Sequence, residues 1–427
     1  MIYAVSSFYF ASFLMSVYLV SRSFPRSVVN NIGLFYIFTS SMYVFSVILD
    51  YFANNLNYGD EHVLGYLAYA APSILMFSLG FSACNNRMKI SNILTHTVKQ
   101  RNKYLFTFLI ASSVILIYYR LSSVEFNLDY FVKVYRSEEG IDYSINIIEK
   151  IAPFLFSVIA CALIISYGSI SKKLKFILLF LIFITSIAYL LRGNRNIFLF
   201  IMLPQFLAYL YVKRYRLSDS KWMLLFVLGF FFAEIVDVIR AIGLQDFVLS
   251  DLAHHGGRFT SGEFGTGIRI WRTYMDNQFH SDYLYGESYL LYPLLNLLAT
   301  FGLNFTTMAA EFSEYIPGGV FGMGWNPYLE AYVNFWYFGI LVFFIFGYIL
   351  KFISILLLRS RSLQSKVMYF MLFPLILNFQ RIDFSVVIKV GLIVYLCSFI
   401  LNISIGRYNN LHSTTLLPKG DNLNSKF

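Results

Sequence analysis

Long apolar stretches, separated by short polar ones, make up most of this chain. A transmembrane helix needs about 17 to 25 apolar residues, or slightly fewer with help from its flanks. Stretches of this kind recur at residues 2–20, 32–52, 63–83, 104–119, 151–168, 174–191, 197–212, 222–239, 331–350, 365–379 and 389–405. The pattern predicts an all-α polytopic membrane protein with about 11 transmembrane helices, in a range of about 10 to 12.

One stretch interrupts this pattern. Residues 240–330 form a polar, glycine-rich and aromatic insertion between the eighth and ninth predicted spans. Within it, residues 268–279 are typical of a short helix, and residues 289–303 are apolar but too short to span, which predicts a helix that lies at the interface or re-enters the membrane. The chain is therefore divided into helices 1–8 (1–239), a large loop with interfacial helices (240–330), helices 9–11 (331–405) and a tail (406–427).

Composition agrees with a membrane protein. Of the 427 residues, 58% are hydrophobic and 13% are charged, which excludes an ordinary water-soluble domain. The first apolar stretch begins directly after Met1 without a basic segment, so we expect a retained helix and not a signal peptide. The three cysteines, Cys84, Cys161 and Cys397, lie in or beside apolar stretches, which argues against a disulfide framework.

The charges of the loops predict an orientation. The loops at 21–31, 84–103, 169–173, 213–221 and 351–364 and the tail after 405, with the basic residues at their helix ends, hold 21 of the 33 basic residues and two of the 23 acidic ones. Basic loops remain in the cytoplasm. We therefore predict that the N-terminus lies outside, that the C-terminus is cytoplasmic, and that the large loop between helices 8 and 9 faces outward. No nucleic acid is expected as a partner on that side, despite the net charge of +10.

The basic residues on the predicted outer side between positions 176 and 388 are all arginines. The planar guanidinium fork binds phosphate or carboxylate at two points. Two of the arginines flank the tight turn Arg192–Asn196, and another lies in the turn Gln380–Asp383. We predict an external anion site whose floor is the helix bundle and whose lid is the large loop; the alternative is a set of interfacial arginines that reach lipid headgroups. Its candidate residues are Arg192, Arg195, Arg240, Arg258, Arg269, Arg272 and Arg381.

Other candidates concern proton transfer and sugar binding. Asp237 shares a face of the eighth predicted helix with Arg240, while His255 and Glu263 lie in a glycine-rich part of the loop. Trp325 and Glu330, at the entry to the ninth span, are candidates for sugar binding, although aromatic residues are also common at membrane interfaces. The sequence contains no HExxH pattern and no glycine-spaced acidic cluster, so we predict no metal and no cofactor.

The arginine turn RGNRN at 192–196, the single large outer loop late in the chain and the stretch NPYLEAYVNFWYFGILVFFIFGY at 326–348 resemble the O-antigen or capsule oligosaccharide repeat-unit polymerases of the Wzy type. The resemblance in layout covers essentially the whole chain. It implies a GT-C-like membrane glycosyltransferase architecture and metal-independent transfer of a growing glycan from undecaprenyl pyrophosphate to a lipid-linked repeat unit. The site would lie on the periplasmic side of the bacterial inner membrane.

The resemblance also implies partners and roles. The substrates would be undecaprenyl-pyrophosphate-linked glycans within the membrane lipid, and a chain length regulator and a flippase would act beside this protein. The arginines would include a pyrophosphate clamp, and His255, Glu263 or Asp237 would serve as the base. Two alternatives remain open: an O-antigen ligase that uses the same donor, and a lipid-linked oligosaccharide flippase or other transporter.

Overall fold

The computed structural model describes most of the apolar part of the chain, and every regular element in that part is helical. The described residues are 1–24, 31–53, 59–84, 147–165, 172–191, 195–213, 263–277, 284–299, 325–360 and 362–406, with isolated helical positions at 111, 112, 115, 221, 224, 227 and 228.

Twelve α-helices occupy these ranges, with short 3₁₀ segments at Glu263–Gly265 and Trp336–Gly339. In chain order they are α1 (Ile2–Ser23), α2 (Ile32–Phe52), α3 (Asp60–Ala83), α4 (Ile147–Ile165), α5 (Lys172–Leu191), α6 (Arg195–Val212), α7 (Thr266–Asn277), α8 (Glu287–Ala299), α9 (Pro327–Phe335), α10 (Ile340–Arg359), α11 (Leu363–Phe379) and α12 (Phe384–Gly406).

Several of these helices have the length and composition of membrane spans. In the described part of the chain, four segments are long and apolar enough: Ile2–Ser23, Ile32–Phe52, Asp60–Ala83 and Pro327–Arg359. Shorter apolar helices accompany them in α4, α6, α11 and α12. Large apolar side chains also stay exposed on helix surfaces, as at Phe183 (58%) and Ile345 (56%). A membrane-embedded helical protein accounts for this exposure, because lipid tails cover such faces.

The predicted spans agree with the helices closely in some places and poorly in one. Helix α2 covers residues 32–52 as predicted. The ninth span, predicted at 331–350, instead begins at Pro327, is interrupted at Trp336–Gly339 and continues to Arg359. The predicted loop at 351–364 is correspondingly wrong at its start, because Lys351 lies inside α10 and is buried. Its amine lies over the Phe81 ring, 5.5 Å from the centroid, so this charge does not end the helix.

Two predicted spans, at 104–119 and 222–239, lie outside the described residues except for the isolated helical positions. The count of about 11 helices, the orientation in the membrane and the GT-C-like architecture therefore remain predictions.

Helices α1, α2, α3 and α10 form one packed group. Helices α3 and α10 run in the same direction and approach so closely that a Cβ at Gly80 would overlap the Phe344 backbone, and one at Gly347 would overlap the Phe77 carbonyl. Helix α2 runs in the opposite direction to α1, and the Tyr9 hydroxyl on α1 donates to Ser41 Oγ on α2 at 3.1 Å. The glycines permit this approach because they carry no side chain.

Helices α4, α6, α11 and α12 form a second group, which contacts the first through the rings of Phe35 and Phe373, 5.1 Å apart. Helix α6 runs antiparallel to α11. We call the end at which α3, α6, α9 and α12 begin the predicted outer end, following the loop charges, and the opposite end the predicted inner end. The large loop enters and leaves the bundle at the predicted outer end.

Candidate functional site

The entry to α9 is fixed at the predicted outer end of the bundle. Asn326 caps α9, because its side-chain oxygen accepts the Tyr328 N–H at 2.8 Å, and Pro327 occupies the first turn. The preceding residue, Trp325, donates its backbone N–H to the Arg381 carbonyl at 2.5 Å. The start of α9 is therefore attached to the turn between α11 and α12.

Arg381 joins that turn to the start of α6. Its Nη1 donates to Asn196 Oδ1 at 2.9 Å, and its side chain is only partly buried. Asn196 lies in the first turn of α6, and Trp325 directly precedes the cap of α9. The unpaired N–H groups at helix starts attract anions, as guanidinium groups do. The structure thus places a cation at the start of α6, on a residue whose backbone carbonyl is bonded to the residue before α9.

A second group of polar residues joins α9 to α8 and to the start of α12. Glu330 on α9 is completely buried; its Oε1 accepts the Ser288 hydroxyl at 2.8 Å and its Oε2 accepts the Phe384 N–H at 3.0 Å. Asn334, one turn further along α9, donates to Ser288 Oγ and accepts the Gly286 N–H at 3.0 Å. We call Ser288, Glu330 and Asn334 the Glu330 cluster. It connects α8, α9 and α12.

The start of α12 extends this network. Asp383 accepts the Val386 N–H at 3.0 Å and the Ser385 hydroxyl, in the manner of an N-cap. Asn296 on α8 donates to Ser385 Oγ at 3.0 Å and accepts from Lys389 Nζ at 3.1 Å. All these groups belong to the predicted outer end, so polar contacts hold α8 to α12 there.

Helix α8 covers most of the segment predicted to be interfacial or re-entrant. The Tyr289 ring lies 5.1 Å from that of Phe384, at the start of α12, and Asn296 lies further along both helices, beside Lys389. The two helices therefore run side by side in the same direction. Leucines on the other face of α8, such as Leu290, are exposed. Helix α8 thus packs beside one of the shorter apolar helices, and its interfacial or re-entrant position remains a prediction.

Helix α7 carries two of the predicted arginines. Arg272 Nε pairs with Asp276 Oδ2 at 3.2 Å, and the other oxygen of Asp276 lies 3.1 Å from His62 Nε2 on α3. Arg269 Nε donates to the Gly265 carbonyl at 3.4 Å. The two guanidinium groups, predicted to converge on one anion, thus have separate partners in this structure.

The opposite face of α7 packs against the bundle. The Trp271 ring lies 5.9 Å from the Tyr66 ring on α3. A Cβ at Gly267 would lie 2.7 Å from the Tyr66 hydroxyl and would overlap the Asn326 amide. Helix α7 therefore lies directly against the start of α9.

The two predicted sugar-binding residues are both buried. Trp325 has no exposed surface, so its ring is not open to a sugar in this structure, and Glu330 is equally enclosed. The exposed aromatic residues nearby include those of the 3₁₀ segment, Trp336 (44%), Tyr337 (59%) and Phe338 (73%), together with Tyr285.

The described part of the chain places only some of the predicted residues. His255, Asp237, Arg192, Arg240 and Arg258 lie outside it, as do the side chains of Arg195, the first residue of α6, and of Glu263 in a 3₁₀ turn. Within the described residues, no group of three or more His, Cys, Asp or Glu is arranged to hold a metal ion.

Four residues of this network were not predicted as site residues from the sequence: Ser288, Asn296, Asn334 and Asp383. A signal for Asn334 exists, since Glu330 and Asn334 are four residues apart in an apolar stretch and therefore share one face of a helix. The roles of Ser288 and Asn296 depend on the helix against which α8 packs.

Comparisons with protein-family models, with curated proteins and with solved structures found no match. The resemblance to the polymerases therefore rests on the residues and layout of the chain itself.

Proposed function

We propose that this protein polymerises undecaprenyl-pyrophosphate-linked oligosaccharide repeat units into O-antigen or capsule glycan at the periplasmic face of the bacterial inner membrane. The observation that carries the proposal is the contact between Arg381 and Asn196, 2.9 Å. Through it, and through the bond from Trp325 to the Arg381 carbonyl, the two stretches that carry the resemblance, 192–196 and 326–348, meet at one place.

The chemistry of the junction suits this reaction. When the bond between a sugar and pyrophosphate breaks, negative charge develops on the leaving oxygen, and fixed cations and helix starts stabilise it. Arg381 and the starts of α6 and α9 supply such groups, and Arg192 and Arg195 belong to the same turn as Asn196. A lipid-linked substrate brings its anionic group to the membrane surface, where the site is predicted to open.

Deletion of the gene tests the function, with the cell's glycan analysed on gels. We expect long-chain glycan to disappear while lipopolysaccharide capped with a single repeat unit remains. Loss of all capped product with lipid-linked units on the periplasmic side would indicate a ligase, and units trapped on the cytoplasmic side would indicate a flippase.

Replacement of Arg381 tests the site. Arg381→Ala should abolish long-chain glycan at normal protein level, because a cation at the leaving group is lost; one such group contributes about 10²- to 10³-fold to the rate. Arg359→Ala is the matched control, since Arg359 is exposed at the end of α10, on the predicted inner side. Equal glycan from the two variants would refute the role of Arg381.

The transporter alternative has one observation in its favour. Helices α9 and α10 are separated by the 3₁₀ segment Trp336–Gly339, and broken helices are frequent around the substrate sites of transporters. The deletion experiment separates the two functions, because a flippase moves the lipid-linked unit without joining units together.

A further inference from the structure

The Glu330 cluster is not explained by the binding of an anion. Both donors that reach the Glu330 carboxylate, the Ser288 hydroxyl and the Phe384 N–H, are neutral. A completely buried carboxylate is unfavourable in a membrane-embedded bundle, and ionisable residues in such places commonly have a function. The two carboxylate oxygens accept these two donors separately, whereas a neutral amide has a single acceptor oxygen.

The carboxylate and the cation belong to the same pair of chain segments. Arg381 and Phe384 are three residues apart in and after the turn between α11 and α12. Trp325 and Glu330, their respective partners, are five residues apart at the start of α9. A substrate whose pyrophosphate binds Arg381 would therefore contact the same two chain segments that hold Glu330.

The Ser288 hydroxyl shows what Glu330 can bind. It is an alcohol that donates to Glu330 Oε1 at 2.8 Å, which is the distance that a general base needs from the hydroxyl it activates. Ser288 belongs to the start of α8, which follows a turn where Tyr285 and Gly286 have positive φ values of 46° and 94°. Both groups are buried in this structure, so a sugar hydroxyl meets the same oxygen only by taking the place of the Ser288 hydroxyl.

We propose that Glu330 accepts the proton of the acceptor hydroxyl during glycan transfer. This inference rests on the proposed function. The acceptor oxygen forms a bond to the anomeric carbon, the bond from that carbon to the pyrophosphate oxygen breaks with its electron pair on the leaving group, and the hydroxyl proton moves to Glu330. The proton then leaves to water or to the released pyrophosphate, which restores the carboxylate.

The titratable neighbours of Glu330 are compatible with its role as the proton acceptor. Asp383 and Tyr289 are near enough to Glu330 to interact with it electrostatically. Two carboxylates in one buried network repel each other when both are charged, and a proton on one of them removes this repulsion. Arg381 in the turn, and Lys389 on α12, which bonds Asn296, supply the positive charges of this region.

The test uses the purified full-length protein and lipid-linked repeat units extracted from a strain that lacks this gene. Polymer formation by the wild-type protein tests the proposed function, and the variants test the inference. For the wild type, kcat should fall at low pH as the base becomes protonated. Glu330→Gln, which keeps the size and an acceptor oxygen, should lower kcat by about a hundredfold or more, with KM changed little, and should remove that acid limb.

Controls separate proton transfer from structure. Ser288→Ala removes the partner hydroxyl and should keep the acid limb. Glu330→Asp should keep the limb with a lowered kcat, and it serves as the decisive variant if Glu330→Gln does not fold. Wild-type kcat in either Glu330 variant, or loss of the acid limb in Asp383→Asn but not in Glu330→Gln, would overturn the proposal while the polymerase function stands.

Discussion

Polar side chains at the two ends of the bundle include examples of distant and of local partners. At the predicted outer end, the partners come from distant parts of the chain: Arg381 bonds Asn196, and Glu330 bonds Ser288. At the predicted inner end, the partner of Lys366 is local, because its amine donates to the carbonyl of Leu358 in the preceding helix. Local partners complete a helix end, whereas a network assembled from several elements specifies one arrangement of them.

The middle of the first helix group is held in a third way, by close contact between backbones. Gly80 and Gly347 let α3 and α10 touch there without polar side chains. The following substitutions test whether the largest effect comes from the close helix packing, a smaller one from the polar network and the smallest from a surface ion pair.

The largest effect on stability should come from Gly347→Ala. The added Cβ would overlap the Phe77 carbonyl, and because this neighbour is backbone it cannot turn away. We expect a loss of about 3 kcal/mol in the free energy of unfolding, measured by thermal unfolding in detergent.

Gly391→Ala on α12 is the matched control for Gly347→Ala. Its Cβ would meet only Leu375 Cδ1 at 3.8 Å, an ordinary contact, so stability should be unchanged or raised by up to about 1 kcal/mol. Similar behaviour of the two variants would show that α3 and α10 are not in close backbone contact.

A smaller loss of stability is expected from Asn334→Ala. Its side chain bonds Ser288 and the Gly286 N–H, so its removal leaves a buried donor unsatisfied at a cost of about 1 to 3 kcal/mol. Ser354→Ala provides the comparison at the predicted inner half of α10, because the Ser354 hydroxyl bonds only the Leu350 carbonyl of its own helix. This variant should lie within about 0.5 kcal/mol of the wild type. If the two losses were equal, the network would add nothing beyond local hydrogen bonds.

Parts of the fold follow from the apolar pattern, and parts do not. The limits of α2 agree with the prediction because polar residues flank one uninterrupted apolar stretch. The break after α9 could not be predicted in this way. Trp336 adopts a positive φ of 52° and its carbonyl accepts the Tyr69 hydroxyl at 3.2 Å, so the break depends on a neighbouring helix. The burial of Lys351 could not be predicted for the same reason, because it depends on the Phe81 ring of α3.

The sequence predicts which residues are candidates for the site better than it predicts the contacts that they make. An arginine in a short turn at a helix end identifies Arg381 as a candidate, but its contact with Asn196 depends on the packing of α6 against α11. Glu330 was predicted from its position at the entry to a span, and the role assigned to it, sugar binding, followed from its aromatic neighbours. Its burial and its contact with α8 change the chemistry that it can perform.

The smallest effect should come from the second arginine site, on α7. Arg272 forms a partly exposed pair with Asp276 one turn away, and pairs of this kind contribute about 0 to 1 kcal/mol. The packing of Ile268 and Trp271 against the bundle holds α7 without it. Arg272→Ala should therefore change the amount of long-chain glycan by less than about fivefold, whereas Arg381→Ala should abolish it. If gels show that Arg272→Ala also abolishes long-chain glycan at a normal protein level, α7 contributes directly to the anion site and the two arginine sites act as one.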